Sequence, residues 1–98
     1  MEKSTIIEKL RSARRTLERK GVRHIALFGS VARGEANDSS DVDVLVRFER
    51  SEGISLLDVV SIENELRDLL GRAVQVTRKP IRRERLRARV AAERIDVF

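Results

Sequence analysis

A chain of 98 residues with no cysteine has room for one domain and one core, held by neither disulfides nor thiolate metal sites, and none for a separate substrate domain. No apolar run approaches the roughly 20 residues of a membrane span, and Met1-Glu2-Lys3-Ser4 lacks the apolar stretch of a signal peptide, so a soluble cytoplasmic protein is expected. The formal net charge of +5 is local: of 21 basic and 16 acidic residues, eight and two lie between Arg78 and Arg94, and the remainder is close to neutral.

Residues 4–20 carry Ile6, Leu10, Ala13 and Leu17 at spacings of three and four, with Ile7 widening the stripe. That pattern predicts one amphipathic helix stopped at Gly21, with Lys9, Arg11, Arg15 and Arg19 on its solvated side. Val22–Phe28 reads as a buried strand from its length and its Val, Ile and Phe content. His24, with no second His or Cys beside it, is expected to be hydrogen-bonded or partly exposed and to carry no chemistry. At Gly29-Ser30 the chain should leave the strand for a short helix ended by Gly34. Glycine lets the backbone come close to a bound group, a serine hydroxyl donates, and the first turn of a helix offers N–H groups to an anion, so this corner is a candidate phosphate cradle. Arg33 either neutralises phosphate charge or pairs with Glu35 or Asp38 to fix the loop. In the polar loop Glu35–Ser40, Ser40 either caps locally or assists a metal-bound water.

Val42–Phe48 is the next strand. Side chains alternate along a strand, so Asp41 and Asp43 share one face. Two carboxylates held side by side repel one another unless a cation sits between them, which makes the pair a candidate divalent-metal site. After a turn over Glu49–Gly53, Ser55–Leu70 reads as a helix with Ser55 and Asp58 as its capping pair and Gly71 as its stop. Its Leu56, Val59, Val60, Ile62, Leu66, Leu69 and Leu70 should cover the sheet, leaving Glu63, Glu65 and Asp68 solvated. Ala73–Thr77 is a third strand, Pro80 breaks the chain, Arg82–Ala92 is a helix with Leu86 and Val90 inward, and Ile95–Phe98 is a last strand. The basic residues of Arg78–Arg94 read as a solvated face; with three aromatics, none of them Tyr or Trp, there is little for bases to stack on, and nucleic acid is not an expected partner. Strands interleaved with helices give an α/β sandwich, a mixed β-sheet with helices mainly on one face.

Gly29-Ser30, Ala32-Arg33-Gly34 and Ser40-Asp41-Val42-Asp43 together resemble the signature of the nucleotidyltransferase superfamily that includes DNA polymerase beta, and within it the minimal nucleotidyltransferases; Gly71-Arg72 fits the same pattern less specifically. The resemblance implies a nucleotidyltransferase-like fold over residues 1–98. It implies Gly29, Ser30, Arg33 and Ser40 as nucleotide-binding residues, and Asp41 and Asp43 as catalytic acids that hold two magnesium ions. It further implies transfer of a nucleoside monophosphate, AMP from ATP, to an acceptor hydroxyl. In antitoxin-like members the partner is an all-helical HEPN-type protein; a homo-oligomer is left open.

One position departs from the pattern. The family's third carboxylate belongs in the strand after Gly71-Arg72, and this chain has Gln75 there. An amide is neutral, offers a single oxygen to a metal and accepts no proton at neutral pH, so the second ion's site is weakened. Three accounts stay open: slow transfer with two carboxylates, an acid lent from elsewhere with Asp96 as the candidate, or a nucleotide- and partner-binding module without turnover.

Overall fold

The strand Val42–Phe48 (β2) lies inside the sheet, with a strand paired to each of its edges. A computed structural model describes residues 1–50 and 52–98. On one side β2 pairs antiparallel with Val22–Phe28 (β1), and on the other it pairs parallel with Val74–Arg78 (β3). Ile95–Asp96 (β4) adds antiparallel to the far edge of β1, giving a mixed sheet in the order β3-β2-β1-β4. Five helices complete the described chain: Lys3–Ser12 (α1), Arg14–Arg19 (α2), Gly29–Arg33 (α3), Leu56–Leu70 (α4) and Glu84–Glu93 (α5). None of them is long and apolar enough to cross a membrane.

The period-two pattern sorts side chains to the two faces. Val42, Val44, Val46 and Phe48 of β2, with Ile25 and Leu27 of β1 and Val74 of β3, bury against Ile6, Leu10 and Leu17 and against Ile62, Leu66 and Leu70 of α4. Ala26, Phe28 and Leu45 point the other way and meet a smaller cluster of Ile81, Val90 and partly buried Leu86 on and before α5. Helices therefore lie mainly on one face, as the sequence pattern predicts.

Some local expectations change. The helix expected over residues 4–20 breaks at Ala13, whose N–H is shared between the carbonyls of Lys9 and Leu10 at 3.2 Å each. The Ser12 hydroxyl donates to Lys9 O at 2.6 Å, and a side chain bonded back to a helix carbonyl bends the helix at that point. In α4 the expected capping pair is present as a reciprocal box between Ser55 and Asp58, and Gly71 closes the helix in the left-handed region. Its apolar stripe is narrower than expected. Leu56 and Val60 are 77% and 37% exposed, since at 100° per residue Val60 lies about 120° from Leu66, and Leu56, in the first turn, has almost nothing packed on it. Glu63 is not simply solvated: its carboxylate accepts from the Val76 N–H at 3.1 Å, occupying a donor on the edge strand. Of the expected turn over Glu49–Gly53, Ser51 lies outside the described residues. β4 is shorter than Ile95–Phe98, although the N–H groups of Val97 and Phe98 still donate to Ile25 O.

Candidate active site

β1 and β2 run antiparallel with Phe28 opposite Asp43, so the residue after Phe28 must turn beside that carboxylate. That residue is Gly29. Its φ of 76° lies in the left-handed region, and a Cβ built on it would collide with the Asp43 carboxylate. Only glycine lets β1 pass into α3 while the acid rests against its Cα. The corner and the acid are thus fixed by one close contact.

Asp43 faces the Leu45 side of the sheet, half-buried, and Asp41 precedes β2 on the same alternation, exposed to solvent. Burial pushes the Asp43 carboxyl above its usual range, and the charge of Asp41 pushes it further; Arg89 and Arg33 oppose the rise, while Glu93 adds to it. Oxygen donors of like charge in a partly desolvated place fit a hard divalent cation such as magnesium. Among the described residues no cluster of three or more His, Cys, Asp or Glu is placed to hold a metal, so the acids present amount to a pair.

The parallel ladder sets Gln75 opposite Asp43. The neutral amide therefore stands beside the half-buried acid on the same face. Asp96, the candidate for a lent acid, pairs with Ala26 instead and hydrogen-bonds His24 Nε2 at 3.0 Å, with Arg94 Nε at 3.6 Å. His24 is thus hydrogen-bonded, as expected.

Arg33 takes the local-pairing role in part. Its Nε donates to Glu35 at 2.8 Å and its Nη1 to Glu93 at 2.9 Å; these two bonds, Glu35's first, hold its protonated form above the ordinary arginine range. Asp38 is not its partner and lies 3.4 Å from the amino group of Met1. The Ser40 hydroxyl is used inside the loop, accepting from the Asn37 N–H at 3.1 Å.

Two residues were given no role in the site by the sequence reading. Arg72 Nη2 donates to the carbonyls of Asn37 and Ser40 at 2.8 and 2.6 Å, strapping the loop that delivers Asp41; its Nε is buried with no partner among the described residues. Glu93 accepts from the Gly29 N–H at 3.1 Å as well as from Arg33. The available signal was its place as one of two acids in a basic segment, at the C-terminal end of a helix where negative charge is disfavoured.

Residues 7–97 match the family model described as "Nucleotidyltransferase domain". "Putative protein adenylyltransferase MJ0435" of Methanocaldococcus jannaschii is 41% identical over 78 residues, 80% of this chain and 82% of that one. "Protein adenylyltransferase MntA" of Thermococcus cleftensis is 52% identical over 62 residues, 63% of this chain and 61% of its own length. The solved "Structure of putative minimal nucleotidyltransferase" superposes with a TM-score of 0.78 at 40% identity, covering 97% of this chain and 95% of that one. A chain from the complex of a tri-AMPylated Shewanella oneidensis HEPN toxin with MNT antitoxin shares the fold alone, with a TM-score of 0.69 at 15% identity over 98% of this chain and 71% of that one. With the Gly29-Ser30 corner, the Asp41/Asp43 pair and the mixed four-stranded sheet in place, this chain belongs to the nucleotidyltransferase domain family, on its minimal nucleotidyltransferase branch.

Proposed function

We propose that the chain transfers a nucleoside monophosphate, AMP from ATP, to an acceptor hydroxyl on an all-helical HEPN-type partner, and so works as an antitoxin-like enzyme of the cytoplasm. The observation that carries this reading is the contact of Asp43 with Gly29, which sets one acid of the pair against the Gly-Ser corner. The relatives named protein adenylyltransferase, and the AMPylated toxin in the structural neighbour's complex, support the choice of AMP and of a protein acceptor.

In this reading Gly29 and Ser30 seat the β and γ phosphates, Arg33 offsets their charge, and Ser40 keeps its loop in shape beside them. Asp41 and Asp43 would hold magnesium, which when bound would supply Lewis-acid stabilisation of the negative charge that develops in the transfer. The acceptor oxygen bonds to the α-phosphorus, the bond from that phosphorus to the bridging oxygen breaks, and pyrophosphate departs. Gln75 takes no proton, so the hydroxyl's proton passes to solvent. Positioning and electrostatics supply most of the rate in such transfers.

Gln75 beside Asp43 favours a second reading, a nucleotide- and partner-binding module without turnover. Labelled ATP, magnesium and the HEPN-type protein separate the two. Label on the partner that vanishes in Asp41→Asn and in Asp43→Asn supports the enzyme, and a tight complex without label supports the module. Gln75→Asp restores a proton acceptor and raises the rate by about 10²-fold or more if the position is the third-carboxylate site; an unchanged rate removes it from that role.

A further inference from the structure

We infer that Glu93 is a positioning residue for the phosphate end of the nucleotide site, holding the Gly29 peptide and the Arg33 guanidinium in fixed relation across the mouth of the Gly-Ser corner. The inference rests on the reading that this corner takes a triphosphate.

The geometry is a two-ended clamp. One carboxylate oxygen of Glu93 accepts from the Gly29 N–H at 3.1 Å and the other from Arg33 Nη1 at 2.9 Å. Gly29 and Arg33 are the first and last residues of α3, so a single side chain from the end of α5 bridges both ends of that short helix. The Glu93 side chain is 16% exposed against 40% for Arg33, so the carboxylate forms the inner end of the bond and the guanidinium the outer. Its position runs against local preference. A carboxylate in the last turn of a helix meets the negative end of the dipole, and α5 has no basic residue there to offset it. A residue that breaks a local rule while satisfying two distant donors marks a place where tertiary or functional demands have overridden helix preference.

The consequence concerns Arg33. An exposed arginine held only by Glu35, two residues away, would keep much of its rotamer freedom, and ordering it on a phosphate would cost that freedom at the moment of binding. Held also by Glu93, it is ordered in advance, and the Gly29 peptide is fixed against Asp43 by the same group. A glutamine at 93 cannot reproduce this, because its carbonyl oxygen accepts one of the two bonds while its NH₂ faces the other donor.

The test is titration calorimetry of the full chain with ATP and with AMP, each with magnesium, for the wild type, Glu93→Gln, Arg33→Ala and the double variant. Glu93→Gln is expected to weaken ATP about 10-fold, the scale of one lost charge-assisted bond, and to leave AMP within 2-fold, since AMP lacks the outer phosphates. The double variant should lose less ATP affinity than the two single losses added together, because Glu93 acts in part through Arg33 and in part through the Gly29 peptide. Hydrogen exchange at the Gly29 amide should quicken in Glu93→Gln. Glu93→Asp, which keeps the charge and shortens the reach, is the second variant should the first not fold, and it weakens ATP with the same selectivity. Equal weakening of ATP and AMP reduces Glu93 to a scaffold role and overturns the inference; so does tighter ATP binding, which would make Glu93 a competitor for the phosphate place. A wild-type chain that takes up neither nucleotide overturns the functional reading and this inference together, whereas an unchanged ATP affinity in a variant of a binding wild type overturns this inference alone.

Discussion

The two faces of the sheet are built from alternate residues of the same strands and serve opposite ends. Toward α1, α2 and α4, β2 presents Val42, Val44, Val46 and Phe48, all buried against apolar partners. Toward α5 it presents Asp43, Leu45 and Arg47, of which only Leu45 is fully buried, in a cluster of five buried residues. The first face holds the chain together. The second is covered thinly enough to keep carboxylates and arginines at one end of the sheet, and that is where Gly29, Arg33, Asp43 and Glu93 meet. A small domain sorts apolar from charged side chains here by a one-residue alternation.

The largest effect that would break this comparison is a core truncation on the two sides. Leu66→Ala on the α4 face should cost about 2–5 kcal/mol. Val90→Ala on the α5 face removes roughly two methylenes and should cost about 1–2 kcal/mol. Denaturant unfolding checks both, and equal losses would mean that the faces share the load.

Asp43→Asn sharpens the contrast further, because it should damage activity and help stability. Labelling of the partner is expected to fall by about 10²–10³-fold, as when one preorganised electrostatic group is removed. The Asp43 carboxyl is raised by burial and by Asp41, so between the ordinary value near 3.9 and its raised folded value the folded chain binds more protons than the unfolded one. Stability of the metal-free chain therefore falls as pH rises through that window. Asparagine removes the slope, and the melting temperature at pH 7 should rise. A melting temperature that drops instead would show that the charge is already compensated without metal.

The smallest effects compare the helix starts. α4 opens on a side-chain cap at Ser55, whereas α5 opens on Arg83 with no side-chain cap bond. Ser55→Ala should cost about 1 kcal/mol, and Arg83→Ser should gain a few tenths to about 1 kcal/mol. Asp58, held below its usual range first by the Ser55 N–H, has the opposite pH sign to Asp43: its contribution is present at neutral pH and fades as pH falls through its lowered value. Thermal melts at pH 7 and at pH 3 check the pair.

Much of the site was legible in the sequence because it is written locally. The Gly-Ser corner, the paired acids and Gln75 each sit next to, or inside, strands whose alternation fixes their face, and the parallel ladder sets Gln75 opposite Asp43. The Ser55/Asp58 box was legible for the same reason, since its partners are three residues apart. The break at Ala13 was not, because the apolar stripe continues through it while a hydroxyl takes a helix carbonyl. Glu93 and Gly29 are 64 residues apart, and Arg72 and Ser40 are 32 apart. No periodicity links such pairs.

By itself, then, the order of residues determined the course of the first three strands, the Ser55/Asp58 cap and the family, because each is marked by residue types within a few positions along the chain. What only the tertiary structure decided is which charges meet: that Asp96 goes to His24, that Glu63 takes the edge N–H of Val76, and that Glu93 spans Gly29 and Arg33. The physical reason is that hydrogen bonds between side chains distant in sequence exist only after the sheet has closed and α5 has docked, and an acid in a helix pattern carries no mark of the donor it will find.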